Sequence, residues 1–183
     1  MRKIVTLMFA GCACGALALA QSNSVSSMDR TFMDKAAQGG MAEVELGQLA
    51  QQKASSQAVK DFGKRMQHDH SMANDKLKSI ASSKGVTLPS SLNAKDKALY
   101  DRLSGMSGSS FDKAYMQAMI KDHNEDISEF KKESEKAKDQ DVKTFASTTL
   151  PTLEEHLQQA KQVGSEVGVN SAAENHGSAT AQK

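Results

Sequence analysis

Glu43, His70, His123 and His156 each fall on the apolar stripe of a different helical pattern, at the slot of that stripe where no apolar residue stands. Three imidazoles and a carboxylate make a ligand set for iron, zinc or copper. Met66 and Met119 each precede a stripe histidine by four residues, one turn away on the same face. Thioether sulfur beside imidazole would move the preference toward copper, although methionine on such a stripe also serves as a core gap-filler. An ionisable group buried alone costs several kcal/mol, so buried groups of this kind are paired or bind a metal. Two readings follow for the quartet. Either it holds a transition metal, or it forms a hydrogen-bonded polar layer that fixes helix packing.

Four long helical patterns must carry these residues. The first runs from about Asp29 to Lys53 along Phe32, Ala36, Gly39, Leu46 and Ala50; the second from about Ser56 to Lys84 along Val59, Phe62, Met66, Ala73, Leu77 and Ile80. The third follows Ser109 through Phe111, Tyr115, Met119, Ile127 and Phe130, with Ser109 and Asp112 spaced as a capping box. The fourth starts near Asp139 and carries Val142, Phe145, Leu153, Leu157, Ala160 and Val163, with Pro151 expected to kink or unwind it near Ser147. Between the second and third, Asn93 caps a short extra helix through Leu99 and Leu103. Tight turns at Ser55-Ser56 and at Asp139 predict two hairpins and an antiparallel four-helix bundle, with the middle connection either capping one end or crossing the bundle. Glu43 and His70 stand equally far from the first turn, and His123 and His156 from the second, so all four can meet near mid-helix.

The composition of the 183-residue chain agrees with an all-α fold: 4% aromatic residues, two prolines and abundant Ala, Lys, Gln, Glu and Met. A formal net charge of +1 argues against a nucleic-acid partner held by bulk charge. Residues 1–20 read as a signal peptide: Arg2 and Lys3, an apolar run, then Ala18-Leu19-Ala20 as the cleavage site. Nothing in the mature chain approaches a transmembrane span. An alternative address is a lipid anchor on Cys12, where Phe9-Ala10-Gly11-Cys12 approximates a lipobox. Residues 21–28 are expected to be a flexible linker, 29–163 the folded domain and 164–183 a disordered tail.

Other signals are weaker. Asp69, Asp122 and Glu155 each precede a stripe histidine and, being turned about 100° from it, should flank the site as outer acceptors or solvated charges. His68 is off the stripe and His176 falls in the tail. There is no Glu-x-x-His pair of the diiron type, no phosphate-binding glycine loop and no Ser/His/Asp arrangement, so no catalytic residue is assigned.

The stretches Phe32-Met33-Asp34-Lys35-Ala36-Ala37, Glu43-Val44-Glu45-Leu46-Gly47, Val59-Lys60-Asp61-Phe62 with Asp69-His70, Phe111-Asp112-Lys113-Ala114-Tyr115 with His123, and Leu150-Pro151-Thr152-Leu153 with His156-Leu157 resemble a bacterial family of exported proteins, DUF4142. The resemblance covers about residues 29–163 and implies a ferritin-like four-helix bundle in the periplasm or cell envelope. It implies no activity. The expected role is metal handling or envelope protection through the core quartet, and the alternative is a non-catalytic structural or interaction module. The protein partner stays open.

Overall fold

The computed structural model describes residues 25–169, which form five helices and no strand among the described residues. They are α1 (Ser27–Lys53), α2 (Gln57–Ser83), α3 (Ala94–Ser104), α4 (Gly108–Lys136) and α5 (Gln140–Glu166). The four long ones hold 27, 27, 29 and 27 residues, about 40 Å each at 1.5 Å per residue. The expected signal peptide, Cys12, Cys14 and His176 lie outside the described residues.

Local chemistry sets the helix ends. Ser26 caps α1 by accepting from the Asp29 amide, Asn93 caps α3 by accepting from Asp96, and Asp139 caps α5 by accepting from Asp141 and Val142. Gly85 leaves α2 at φ 65°, a left-handed conformation that glycine adopts without steric cost. Several expected boundaries shift. Helix α1 starts at Ser27, inside the expected linker, and Val25 already packs on the core. Helix α5 continues to Glu166, and Gly164 and Val169 are buried, so residues 164–169 pack on the domain where the sequence suggested a tail. Pro151 does not interrupt α5, since a proline costs a helix one donor and the neighbouring turns can hold the rest.

Helix α1 packs along α2 and α4 along α5, each pair joined by a three-residue turn; α2 also packs on α5, and α1 on α4. The capping box expected at Ser109 and Asp112 is not formed. The N-cap is Ser107, and Asp112 instead accepts from the backbone amides of Ser55 and Ser56 in the α1–α2 turn, both at 3.0 Å. Asp29 plays the matching part at the other end: it accepts from the amides of Lys138 and Asp139, the latter at 2.8 Å. The start of α4 therefore lies at the α1–α2 turn and the start of α1 at the α4–α5 turn. Helices α2 and α4 then run the same way, so the connection between them crosses the length of the molecule, carrying α3 over α1 and α4. The hairpins also share a local sequence: Val59-Lys60-Asp61-Phe62 opens α2 and Val142-Lys143-Thr144-Phe145 opens α5, with Val and Phe buried in both.

The core is divided. One apolar cluster gathers Leu46, Val59, Phe62, Met66, Tyr115, Met119 and Ala160; the other gathers Phe32, Met33, Leu77, Phe130, Phe145 and Leu153. Each fully buried large side chain contributes about 1.5–3 kcal/mol. In every long helix the chain passes from one cluster to the other through a polar residue: Glu43, His70, His123 or His156. The seam of α1 is turned by one position from the expected one, since Met33, Ala37 and Gly40 are buried where Ala36 and Gly39 are only half-buried. Close approach of α1 to α2 depends on glycine: a Cβ on Gly47 would meet the Gly63 carbonyl oxygen at 2.5 Å.

Candidate metal centre

His70 on α2, His123 on α4 and His156 on α5 come together in the layer between the clusters. Their exposures are 6%, 0% and 1%. Ring centroids are 5.8 Å apart for His70 and His123, 5.4 Å for His70 and His156, and 5.4 Å for His123 and His156. One ring nitrogen from each lies within 4.8 Å of the others, the only such group of His, Cys, Asp and Glu donors among the described residues.

The outer partners settle two tautomers. His123 Nδ1 lies 2.9 Å from the Met119 carbonyl oxygen, which can only accept, so Nδ1 carries the hydrogen and Nε2 the lone pair. His156 Nε2 lies 2.8 Å from an Asp69 carboxylate oxygen, so Nε2 donates and Nδ1 keeps its lone pair. Those two free nitrogens, His123 Nε2 and His156 Nδ1, are buried and have no partner, as does His70 Nε2. Leaving such an atom unsatisfied costs about 1–3 kcal/mol.

Electrostatics keep the rings neutral. Burial foremost pushes His123 down to about 4, with His156 adding to the shift. His70 is lowered well below its ordinary value by burial and then by the two other histidines. His156 is lowered by burial, against the opposing pull of its bond to Asp69. Asp69 is lowered: its bonds to His156 and Arg65 outweigh a burial cost that alone would raise it. Arg65 reaches Asp69 at 3.2 Å and Glu155 at 2.8 Å, fixing the acceptor that orients His156.

Of the acids expected to flank the site, Asp69 therefore acts across the interhelical groove on His156, while Glu155 pairs with Arg65. Glu43 is buried at the same level but is not in the histidine group. Its Oε1 lies 3.9 Å from His123 Nδ1, the nitrogen already committed to Met119, and neither of its carboxylate oxygens has a hydrogen-bond partner. Burial foremost, then the charges of Asp122 and Asp126, raises Glu43 well above the usual carboxylate range. Met66 and Met119 are fully buried in the apolar cluster beside the layer, and Met119 supplies its backbone carbonyl to His123. His68 is exposed.

A cleft of about 350 Å³ between α2 and α5 reaches His70 and His156 from the surface, lined also by Arg65, Lys76, Thr149 and Thr152. Met72, 62% exposed, stands on the same cleft. The cleft was not foreseen from the sequence; of the two roles the sequence leaves open for Asp69, outer acceptor or solvated charge, its bond to His156 matches the first.

Neutral, buried, convergent imidazoles with oriented outer partners can coordinate a borderline transition metal and leave a position open toward the cleft. No described helix is long and apolar enough to cross a membrane.

Two solved structures share this fold. A DUF305 fragment from Deinococcus radiodurans is 11% identical, with a TM-score of 0.69 over 78% of this chain and 98% of its own. A DUF305 protein from Streptomyces coelicolor, described as secreted, is 13% identical, with a TM-score of 0.69 over 81% of this chain and 98% of its own. At these identities the likeness speaks to the fold alone. No curated protein matches the chain. The profile of DUF4142, a domain of unknown function, matches residues 14–163, the whole of α1 to α4 and nearly all of α5. The chain belongs to the DUF4142 family.

Proposed function

We propose that this protein is an antiparallel four-helix bundle of the ferritin-like kind that binds one transition-metal ion through His70, His123 and His156. The observation that carries the reading is three buried histidines from three helices, each with a buried ring nitrogen that has no partner and one ring nitrogen of each within 4.8 Å of the others. A buried ring nitrogen without a partner is unfavourable, and three such imidazoles side by side have a common remedy in one cation. Donor atoms on a single zinc ion stand roughly 3.3 Å apart, so the present spacing within 4.8 Å closes by small side-chain rotations. Three neutral imidazoles suit zinc, copper or iron, and the all-nitrogen set disfavours calcium and magnesium.

The Met119 carbonyl and the Asp69 carboxylate orient two of the ligands. The cleft gives the ion a route in and leaves its outward position open to a small molecule or to exchange. With residues 1–20 as an export signal, the site serves metal handling or envelope protection in the periplasm or cell envelope.

Cobalt(II) titration followed by visible absorption tests this. One equivalent should give intense ligand-field bands of a low-coordinate nitrogen site, lost in His70→Ala and in His156→Ala. Silence toward cobalt, zinc, copper and iron alike would leave the layer as a packing device and remove the proposal.

A further inference from the structure

We propose that the cleft between α2 and α5 binds a short organic dicarboxylate, one carboxylate seated at the histidine cluster and the other on Lys76. This rests on the metal reading above and names the small molecule that takes the outward position of that site. The two helices face each other in antiparallel order. Arg65 meets Gln159 and Glu155 at one end of the cleft, Asp69 meets His156 next to it, and Lys76 meets Thr148 at the other end. His70 and Lys76 stand six residues apart along α2, about 9 Å at 1.5 Å per residue.

The polar groups along this trough are unequal. At the inner end His70 is buried and its Nε2 has no partner. The acids of the cleft are engaged: Asp69 bonds to His156 and Arg65, and Glu155 to Arg65. Arg65 is neutralised by the same two carboxylates. Lys76 is not neutralised. Its ammonium meets the Thr148 hydroxyl at 2.9 Å, and it forms no ion pair among the described residues. The hydroxyls of Thr149 and Thr152, half-buried on the cleft wall, make no hydrogen bond among the described residues, whereas Thr144 and Thr148 on the same helix bond back to its carbonyls.

A two-headed anion satisfies these groups together. Three neutral imidazoles leave the charge of a bound ion whole, which favours a carboxylate at its outward position. The second carboxylate accepts a charge-assisted bond from Lys76, and Thr149 and Thr152 donate to carboxylate oxygens between the two ends. Met72, Ala73 and Leu153 line the middle of the cleft and give a short methylene chain an apolar wall. A coordination bond of about 2 Å, a five-carbon diacid and a hydrogen bond of about 2.8 Å together cover the distance from the histidines to Lys76. The cleft volume of about 350 Å³ matches a ligand of this small size. A carboxylate with one head leaves Lys76 unpaired.

Cobalt(II) reports the anion, because its ligand-field bands change with the outward ligand. In the cobalt-loaded mature protein, glutarate should shift these bands to saturation. Butyrate, with one carboxylate on a chain of similar length, should require about tenfold more. Lys76→Gln, at an exposed position, should still take up one equivalent of cobalt but bind glutarate no better than butyrate. A parent protein that binds no cobalt would remove the metal reading and this inference with it. Bands left unchanged by glutarate in the loaded parent would overturn this inference alone. So would butyrate binding as tightly as glutarate, or a Lys76→Gln variant that keeps the preference for glutarate.

Discussion

Asp29 and Asp112 fasten each other's hairpins. Asp29, at the start of α1, accepts from the amides of Lys138 and Asp139 in the α4–α5 turn, and Asp112, at the start of α4, accepts from Ser55 and Ser56 in the α1–α2 turn. Both acids are almost fully buried. The exchange closes both ends of the molecule and sets the heights of the four long helices relative to one another. Those heights are what bring three histidines to one level.

Removing either fastener strands at least two backbone donors that the hairpin turns keep from water. Asp112→Ala should lower stability by about 2–4 kcal/mol, read as the shift in the urea midpoint at unchanged slope. Asp112→Asn, which retains an acceptor, should cost less than Asp112→Ala. An Ala variant as stable as the parent would mean that the turn is held by other contacts.

Asp69 should matter for metal without being a ligand. Its carboxylate holds the Nε2 hydrogen of His156 and so presents Nδ1 to the cluster. Asp69→Asn is expected to reduce zinc affinity about 10–100-fold in a chelator competition while leaving the one-to-one stoichiometry. A change in stoichiometry would instead place Asp69 on the ion.

The pH dependence has two opposed parts. His70, His123 and His156 have folded-state pKa values below their ordinary 6.5, His123 at about 4. Between about 6.5 and 4 the unfolded chain binds more protons than the folded one, so the metal-free protein loses stability as pH falls through that window. Glu43 is raised above its ordinary 4.5, so its contribution is present below 4.5 and is lost as pH rises through its folded value. Urea unfolding at several pH values should therefore show a steeper acid-side loss in Glu43→Gln and a flatter one in His123→Leu. Bound metal should resist acid to well below 6.5, because protons compete only where the rings begin to titrate.

The α1–α2 interface should refuse a methyl group at Gly47, where a Cβ would stand 2.5 Å from the Gly63 carbonyl oxygen. Backbone cannot yield there as a flexible side chain does. Gly47→Ala should destabilise by about 1–3 kcal/mol despite alanine's better helix propensity, measured by thermal unfolding. A stabilised variant would contradict the close approach.

The all-helical fold and the histidine cluster were legible because each rests on helical period and distance from a turn. His70 and His156 take their heights from the hairpins, and a missing apolar residue on each stripe marks the positions. Glu43 shows where that reading stops. Its height is right, but the ring of His123 presents Nδ1 to it, and that nitrogen is taken by the Met119 carbonyl. Asp69 lies off the stripe of its own helix and reaches His156 only because α2 and α5 are neighbours, a fact of tertiary packing. Asp112 looks like a local cap in sequence, whereas its partners are in another hairpin's turn.

Metal content measured by inductively coupled plasma mass spectrometry tests the central claim most directly, on mature protein purified without chelator or affinity tag and then loaded and desalted. The account predicts close to one equivalent of zinc, copper or iron per chain, and a metal-free chain when His70→Ala and His156→Ala are combined. A parent protein that retains none of these ions, or a double variant that retains as much as the parent, would contradict it.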